Sequence, residues 1–439
     1  MKKDARFITV KILDHFSVKP IKLDLITNEI FSKFKPDPLI RPRVYVLSKE
    51  IIRFNSRLIL MIEFISGRPQ SRIDLSILSI LRIAFYEIIM DDTVPDYAAV
   101  DSAVTLTNQL LNRRAAGFTN AVLRKLTRRM KEDKNWFQIL SGDTKWHSLP
   151  NWMQERWKKQ FGDLQFLKMV EKINQQPSSF VRVEIHKIPL SEVIALLMDE
   201  GIKSEEFSSS FLKVYVGSGK ILKTNLFKTG KISIQDPASA AIVDCLNAKP
   251  GDTILDVCAA PGTKTLYLSN IVGEEGSILA SDLNSERVSM GKKDLNRHGQ
   301  HNIEWSIKDA RKDTYPIADR ILIDAPCTGT GVLSRRPDIR WICKPQDIKL
   351  ASNKQAEILN NCSRFLKAGG TIVYATCSVE PEENWNVVDR FLKLNGDFSI
   401  VSVPSAIPFD WIDERGALRT LPHIHGVDGM FAVKLKLKQ

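Results

Sequence analysis

The chain has 439 residues, 43% hydrophobic and 26% charged, which excludes a disordered protein and leaves room for two or three domains. The formal net charge is +12, and residues 1–150 carry 25 basic against 16 acidic side chains. This imbalance favours polyanion binding by the front half, although surface charge that only maintains solubility would give the same count.

Residues 1–140 show helical periodicity without a competing alternating pattern, which predicts an all-α bundle. Asp74 is a suitable N-cap for a helix that runs to Met90. Pro95 is predicted to open the next helix at its first position, and a third helix covers about Ala115–Met130. Even the most apolar stretch contains charged side chains, so no membrane-spanning segment is expected.

The third helix and its flanks are strongly basic, and we expect Arg124, Arg128 and Arg129 to contact nucleic-acid phosphates. A solvated helix face is the alternative interpretation. Two segments, Ile80–Glu87 (ILRIAFYE) and Gly117–Leu123 (GFTNAVL), are similar to signature segments of the NusB family of RNA-binding helical domains. The resemblance implies that the front of the chain is a NusB-like domain.

Residues 141–245 are predicted to form a small α+β connector with two strands, Phe180–Val183 and Leu212–Val216, and a helix between them. Its aromatic and basic residues could stack on bases or bind phosphate, although its tryptophans could equally anchor a small core. Asp236 is predicted to cap the next helix, with Pro237 at the first helical position.

Residues 246–439 alternate apolar strands with helices, which predicts a doubly wound, mostly parallel α/β sheet. Ligands bind such sheets at the carboxyl ends of the strands. The predicted strands are Thr253–Val257, Ser277–Ala280, Ile303–Ser306, Arg320–Ile323, Thr371–Ala375, Phe398–Val403 and Met430–Leu435.

The turn after the first of these strands suits a nucleoside cofactor. Small residues let a ligand approach the backbone, and a helix start presents free N–H groups. Asp282 and Asp309, after the next two strands, suit a ribose and an adenine amino group. The spacing fits neither a P-loop nor a G-x-G-x-x-G fingerprint. The turn consists of Cys258, Ala259, Ala260, Pro261, Gly262, Thr263 and Lys264.

Two cysteines follow the fourth and fifth strands, Cys327 in Asp-Ala-Pro-Cys and Cys377 in Ala-Thr-Cys-Ser. Carbon 5 of cytosine is a poor nucleophile until a thiolate adds to carbon 6, so a thiol beside a nucleoside-cofactor site suits pyrimidine alkylation. Chemistry alone leaves open which of the two is the nucleophile. Asp324 is placed to hydrogen-bond the base and to border the cofactor.

The six cysteines contain no CxxC pair and no zinc-ligand spacing, so no metal site is expected. Scattered free cysteines suit a reducing cytoplasm, and we expect a soluble, cytoplasmic protein.

The cofactor turn and the two cysteine motifs, in this order, resemble those of the RNA cytosine-5 methyltransferases. With the NusB-like front, the chain resembles the RsmB (Sun, Fmu) family of bacterial enzymes that methylate 16S ribosomal RNA. The resemblance implies S-adenosylmethionine as cofactor, Cys377 as nucleophile and Cys327 in product release. It also implies RNA-backbone contacts by Arg335 and Arg336. Thr263 departs from the family pattern, which has a second glycine there.

The expected organisation is a NusB-like domain over 1–140, a connector over 141–245 and a Rossmann-like catalytic domain over 246–439. The expected partner is 16S ribosomal RNA, bound by a monomer without membrane or metal. A cytosine methyltransferase for tRNA or another RNA site, or a non-catalytic RNA adaptor, are the alternatives.

Overall fold

The computed structural model describes residues 4–438. The chain divides into two compact units. Unit 1 contains residues 4–175 together with 333–343, and unit 2 contains residues 176–332 and 344–438. No helix within residues 4–438 is long and apolar enough to cross a lipid bilayer.

Residues 4–175 are helical, as the periodicity predicted for 1–140, and the helices before residue 140 surround one core of aliphatic and aromatic side chains. Their α-helices are α1 (Ala5–Val18), α2 (Leu23–Phe34), α3 (Arg41–Arg53), α4 (Asn55–Ser66), α5 (Leu75–Met90), α6 (Asp96–Leu110), α7 (Arg113–Glu132), α8 (Asn151–Phe161) and α9 (Asp163–Asn174).

The helix boundaries test the capping predictions. Asp74 caps α5, since its side chain accepts hydrogen bonds from two backbone N–H groups of the first turn. The prediction that Pro95 occupies the first helical position is wrong: its backbone is extended (ψ 142°), so Pro95 is the N-cap and α6 begins one residue later. Helix α7 is longer than predicted at both ends, because Asn112 supplies an N-cap that accepts from the Ala115 N–H.

The connector folds into a four-stranded antiparallel sheet with strand order β2-β3-β1-β4. Two of its strands and the first helix were predicted; β2 and β4 were not. Strand β2 is an exposed, polar edge strand, and β4 is only three residues long, too short for its alternation to be recognised. The elements are β1 (Ser179–Val183), α10 (Leu190–Asp199), β2 (Ser204–Ser208), β3 (Phe211–Val214), α11 (Ser218–Ile221), α12 (Asn225–Lys228) and β4 (Ile232–Ile234).

The remaining residues form a mixed eight-stranded sheet. Helix α13 begins at Pro237 and is capped by the Asp236 side chain, as predicted. The elements are α13 (Pro237–Leu246), β5 (Thr253–Val257), α14 (Thr263–Val272), β6 (Ser277–Asp282), α15 (Ser285–His298), β7 (Ile303–Ile307), β8 (Ala318–Asp324), α16 (Ile339–Ile342), α17 (Pro345–Ser363), β9 (Leu366–Thr376), α18 (Trp385–Leu394), β10 (Phe398–Ile400), β11 (Leu418–Arg419), α19 (Pro422–His425) and β12 (Phe431–Leu437).

The strand order of this sheet is β10-β12-β9-β8-β5-β6-β7, with β11 paired to β12. Strands β5 to β9 run parallel, and β12 joins β9 antiparallel. Alternate residues of the central strands pack against α13 and α14 on one face and against α17 and α18 on the other. The carboxyl ends of the five parallel strands therefore meet at one edge, where the predicted site residues lie.

The segment Leu333–Cys343, which includes α16, packs into unit 1. The Asp338 carboxylate accepts from the Leu23 N–H at 3.1 Å, and the Trp341 indole donates to the Ile52 carbonyl at 2.8 Å. The Arg340 side chain is completely buried among backbone carbonyls. A segment from the second half of the sequence thus completes the core of the helical unit.

Candidate active site

The two predicted cysteines meet at the carboxyl edge of the large sheet. Strands β8 and β9 are parallel neighbours in which Asp324 pairs with Ala375, so the loops that follow them lie side by side. The sulfur of Cys327 is 3.0 Å from the sulfur of Cys377 and 3.3 Å from its backbone nitrogen. Both thiols are half-buried, and the hydrogen bond to Cys377, followed by burial, raises the pKa of Cys327 well above its usual value.

Two glycines, Gly331 and Gly429, allow the segment before β12 to pack against the two cysteine loops. The Gly331 N–H donates to the Cys377 carbonyl at 2.9 Å, and the Gly429 N–H donates to the Gly331 carbonyl at 2.9 Å. A Cβ atom on Gly331 would overlap the Gly429 carbonyl oxygen and lie 2.9 Å from the Cys377 carbonyl oxygen. Both obstructions are backbone atoms, so a side chain here would displace the Cys377 loop.

The predicted cofactor loop follows β5 and leads into α14, whose N-cap is Gly262. Gly262 has φ 108°, and a Cβ atom there would lie 2.8 Å from the indole of Trp305, so glycine is required on both grounds. The small residues Ala259 and Ala260 pack with Trp305 in one buried cluster. This packing fixes the backbone of the loop from one side.

Lys264 joins the cofactor loop to the strand that precedes Cys327. Its ammonium donates to Asp324 Oδ2 at 2.8 Å. Burial alone would lower the pKa of Lys264, but the Asp324 charge and hydrogen bond, followed by Cys377, outweigh it and raise that pKa. The Lys264 ammonium therefore lies within electrostatic range of the Cys377 sulfur.

The Asp256 carboxyl lies beneath the cofactor loop and is completely buried. Its Oδ2 accepts from the Thr265 hydroxyl at 2.7 Å, and its Oδ1 has no hydrogen-bond partner among the described residues. Burial is the main cause that raises the pKa of Asp256 to about 7. The two neighbouring carboxylates, Asp324 and Asp282, act in the same direction.

Asp282 and Asp309 end or follow β6 and β7, as predicted. Asp282 Oδ1 accepts from the Asn284 N–H at 2.9 Å, whereas Oδ2 is buried, 3.2 Å from Arg287 Nη1 but without hydrogen-bond geometry. The Asp309 carboxylate receives two hydrogen bonds from the Arg311 guanidinium, and these lower the pKa of Asp309. Asp282 thus retains an acceptor for a ribose hydroxyl, while Asp309 is already engaged on both oxygens.

The predicted RNA-binding arginines all lie in unit 1. On α7, Arg124 and Arg128 are exposed, and Arg129 is half-exposed with a partner in Glu132 at 3.6 Å. Arg336 is directed toward Asp338, with Nη2 3.3 Å from Oδ2, and Arg335 is half-buried.

Sequence reasoning missed the side chains that hold the cysteine loops together. Glu383, at the end of a short helical turn after Cys377, is completely buried and accepts hydrogen bonds from both loops. Gln355, on α17, donates to Glu383 and to a carbonyl of the Cys327 loop. Three glutamates follow Cys377 closely, at positions 380, 382 and 383, but nothing in the sequence singles out Glu383 among them.

Three family models match the chain. The 16S rRNA methyltransferase RsmB/F model matches residues 243–436, the NusB model residues 3–128 and the RsmF/B ferredoxin-like domain model residues 149–213. The probable ribosomal RNA small subunit methyltransferase B of Bacillus subtilis (strain 168) is 31% identical over 377 residues, which cover 82% of this chain and 83% of the relative. The chain belongs to the RsmB/F methyltransferase family.

Other relatives of this RsmB/F-family chain agree. The ribosomal RNA small subunit methyltransferase B of Escherichia coli O7:K1 is 29% identical and covers 88% of each chain. The crystal structure of PH0851 matches over the full length of both chains with a TM-score of 0.76 and 26% identity. The structure of NSun6 from Pyrococcus horikoshii with the S-adenosylmethionine analogue SFG covers 66% of this chain and 98% of that one, at a TM-score of 0.59 and 22% identity, which shows a shared fold.

The RsmB/F family uses S-adenosylmethionine, and the residues present suit that cofactor. The turn 258–264 leaves backbone N–H groups free at the start of α14, and Asp282 offers a buried acceptor. Among residues 4–438, no group of three or more His, Cys, Asp or Glu side chains is arranged to hold a metal ion.

Proposed function

We propose that the chain methylates carbon 5 of a specific cytosine in 16S ribosomal RNA through a covalent cysteine–cytosine intermediate. The observation that carries the proposal is the pair of sulfurs 3.0 Å apart, at the carboxyl ends of β8 and β9. The names of the relatives, ribosomal RNA small subunit methyltransferase B, support the choice of RNA. S-adenosylmethionine supplies an electrophilic methyl group.

Cys377 is the proposed nucleophile. Its thiolate adds to carbon 6 of the cytosine, and the electron pair of the 5,6 double bond then makes carbon 5 nucleophilic. The Lys264 cation, which interacts electrostatically with Cys377, is proposed to offset the negative charge of the attacking sulfur. After carbon 5 is alkylated, a base removes its proton, the double bond re-forms and the thiolate leaves.

Asp324 is proposed to bind the cytosine while it borders the cofactor. Its Oδ2 receives the Lys264 ammonium at 2.8 Å, and the carboxylate is part-exposed, so its remaining acceptor positions are accessible to an exocyclic amine. The Lys264–Asp324 pair therefore connects the residues assigned to the cofactor with those assigned to the base. Cys327 is assigned to product release, because its thiol touches the nucleophile and its raised pKa keeps it protonated.

The NusB-like helices and the connector are proposed to bind the RNA. Exposed arginines of α7 would contact phosphates, which supplies affinity without sequence information. The proposed division is a NusB-like domain over 1–140, a connector over 141–245 and a catalytic domain over 246–439.

The test combines methyl transfer from labelled S-adenosylmethionine to 16S ribosomal RNA with bisulfite mapping of the product. We expect Cys377→Ala to abolish transfer and retain cofactor binding, and Cys327→Ala to accumulate a protein–RNA adduct on denaturing gels. Full activity of Cys377→Ala would remove it as nucleophile. Modification of tRNA alone would overturn the ribosomal substrate, and cofactor binding without methylation of any RNA would favour a non-catalytic adaptor.

A further inference from the structure

Glu383 accepts a complete set of hydrogen bonds at the base of the two cysteine loops. Its Oε1 accepts from the Ser378 hydroxyl at 2.6 Å and from the Thr328 hydroxyl. Its Oε2 accepts from the Thr328 N–H at 2.9 Å and from the Gln355 amide at 2.9 Å. The carboxylate is fully buried, so these four donors are its surroundings.

These donors lie next to the reacting sulfurs in the chain. Thr328 directly follows Cys327, and Ser378 directly follows Cys377. One carboxylate therefore ties the loop after β8 to the loop after β9, and the backbones of the two loops can move apart only if these bonds break. The Ser378 hydroxyl also lies 3.2 Å from the hydroxyl of Thr330, which adds a second link between the same loops.

Gln355 extends this connection to the other side of Cys327. Its Nε2 donates to the Pro326 carbonyl at 3.1 Å as well as to Glu383. Because both partners accept, the amide orientation is determined: the oxygen of Gln355 could not replace the nitrogen. Residues on both sides of Cys327 are thus held by the Glu383–Gln355 pair.

The donor set favours the ionised form of Glu383. A carboxylate has about four lone-pair positions, and all four are occupied by donors, two of which are N–H groups that cannot accept a proton. Burial raises the pKa of Glu383, while the hydrogen bonds from Ser378 and Thr328 oppose that rise. The negative charge of Glu383 also affects Cys327. After the Cys377 hydrogen bond and burial, it is a further cause of the raised pKa of Cys327.

Glu383 therefore places a negative charge next to Cys327, since Thr328, the residue that follows Cys327, is bonded to both carboxylate oxygens. We propose that Glu383 is a positioning residue that sets the distance between the cysteine loops and keeps a negative charge beside Cys327. This inference rests on the proposed covalent mechanism. It concerns a residue that does not itself contact the cytosine.

The test compares Glu383→Gln with Glu383→Asp. Glutamine keeps the shape but loses the charge, and its N–H groups require the Ser378 and Thr328 hydroxyls to accept instead of donate. Aspartate keeps the charge but is one methylene shorter. The matched control is Glu357→Gln, an exposed glutamate of α17. Retained thermal stabilisation by S-adenosylmethionine shows that each variant is folded.

Two readouts are measured under reducing conditions: methyl transfer, and the pH dependence of iodoacetamide alkylation of Cys327, located by mass spectrometry. For Glu383→Gln we expect kcat to fall about 100-fold, the cost of a 1 Å misplacement, with little change in KM for the cofactor. Its Cys327 alkylation profile should shift to lower pH. Glu383→Asp should lose kcat but keep the wild-type alkylation profile, and Glu357→Gln should change neither.

A wild-type kcat and profile in Glu383→Gln would overturn the proposal. So would a loss of kcat with an unchanged alkylation profile, because Glu383 would then be only a structural brace. The alkylation measurement needs no methyl transfer, so it tests Glu383 even if the proposed RNA substrate is wrong.

Discussion

The buried Arg340 guanidinium offers the sharpest test of how unit 1 is held together. Its Nη1 donates to the carbonyls of Arg53 (3.1 Å) and Ser148 (3.2 Å) and to the Asn174 side-chain oxygen (2.6 Å). Its Nη2 donates to the Ile173 carbonyl at 2.7 Å. Arg340→Met would fill a similar volume and remove the Arg340 donor from all four acceptors, of which the Ile173 carbonyl keeps a second donor in Arg53 at 3.0 Å.

The expected cost follows from these contacts. Each buried acceptor left unpaired costs about 1–3 kcal/mol, but the guanidinium itself is expensive to bury, which offsets part of that sum. We therefore expect Arg340→Met to destabilise unit 1 by about 3–5 kcal/mol, as for other broken buried charge networks. Against a stability of roughly 5–15 kcal/mol for a domain, this is a large fraction. Arg340→Lys keeps the charge and loses the planar fork, so its effect should be intermediate.

Native-state hydrogen exchange measures this loss of stability separately in each helix and strand. At about 1.4 kcal/mol per factor of ten, the amides of α3 and α4 should exchange at least roughly 100-fold faster in Arg340→Met. Amides of the central strands β5 and β8, in unit 2, are the internal control. A change of less than about fivefold in α3 and α4, near 1 kcal/mol, would refute the reasoning and show that packing alone holds this segment.

Three further predictions concern unit 2 and RNA binding. Because the pKa of Asp256 is raised from 3.8 to about 7, the folded protein holds a proton that the unfolded chain loses above pH 4. The free energy of unfolding should therefore fall as pH rises toward 7, by up to roughly 4 kcal/mol from this group. Measured by urea titration at a series of pH values, the free energy of unfolding of Asp256→Asn should depend less on pH than that of the wild type; the same pH dependence in both would contradict this. Gly331→Ala should abolish methyl transfer by displacing the Cys377 loop, whereas Gly117→Ala, with open space around it, should stay active; equal activities would contradict the packing argument. Neutralising three arginines of α7 should reduce the slope of log K against log salt for RNA by about 2 to 3, and an unchanged slope would identify a solvated face. The combined substitutions are Arg124→Gln, Arg128→Gln and Arg129→Gln.

Features encoded by local residue chemistry could be predicted from the sequence. Asp74 and Asp236 predict the starts of their helices, because a capping side chain accepts hydrogen bonds from N–H groups two or three residues away. The central parallel strands, such as β5 and β8, were predictable because buried strands are rich in apolar residues. The meeting of Cys327 and Cys377 followed in turn, since both lie just beyond the carboxyl ends of such strands.

Features created by tertiary convergence could not be predicted. Glu383 has donors from three separate parts of the chain, and its neighbours in sequence do not distinguish it from a surface glutamate. Arg340 lies close in sequence to Arg335 and Arg336, which were expected to contact RNA, yet it is buried. Strand β2 has an exposed, polar face, so only its pairing with β3 identifies it as a strand.

The place of Leu333–Cys343 in unit 1 has a consequence for how the protein is made. The helices up to Asn174 are synthesised long before Arg340, so the nascent helical unit lacks its last segment during this interval. At about 5–20 residues per second, that interval is roughly 10 to 30 s. During this time the carbonyls that later accept hydrogen bonds from Arg340 must be hydrated or bound by another partner. A transcript truncated before codon 333 would yield helices that lack Arg340 and the residues around it.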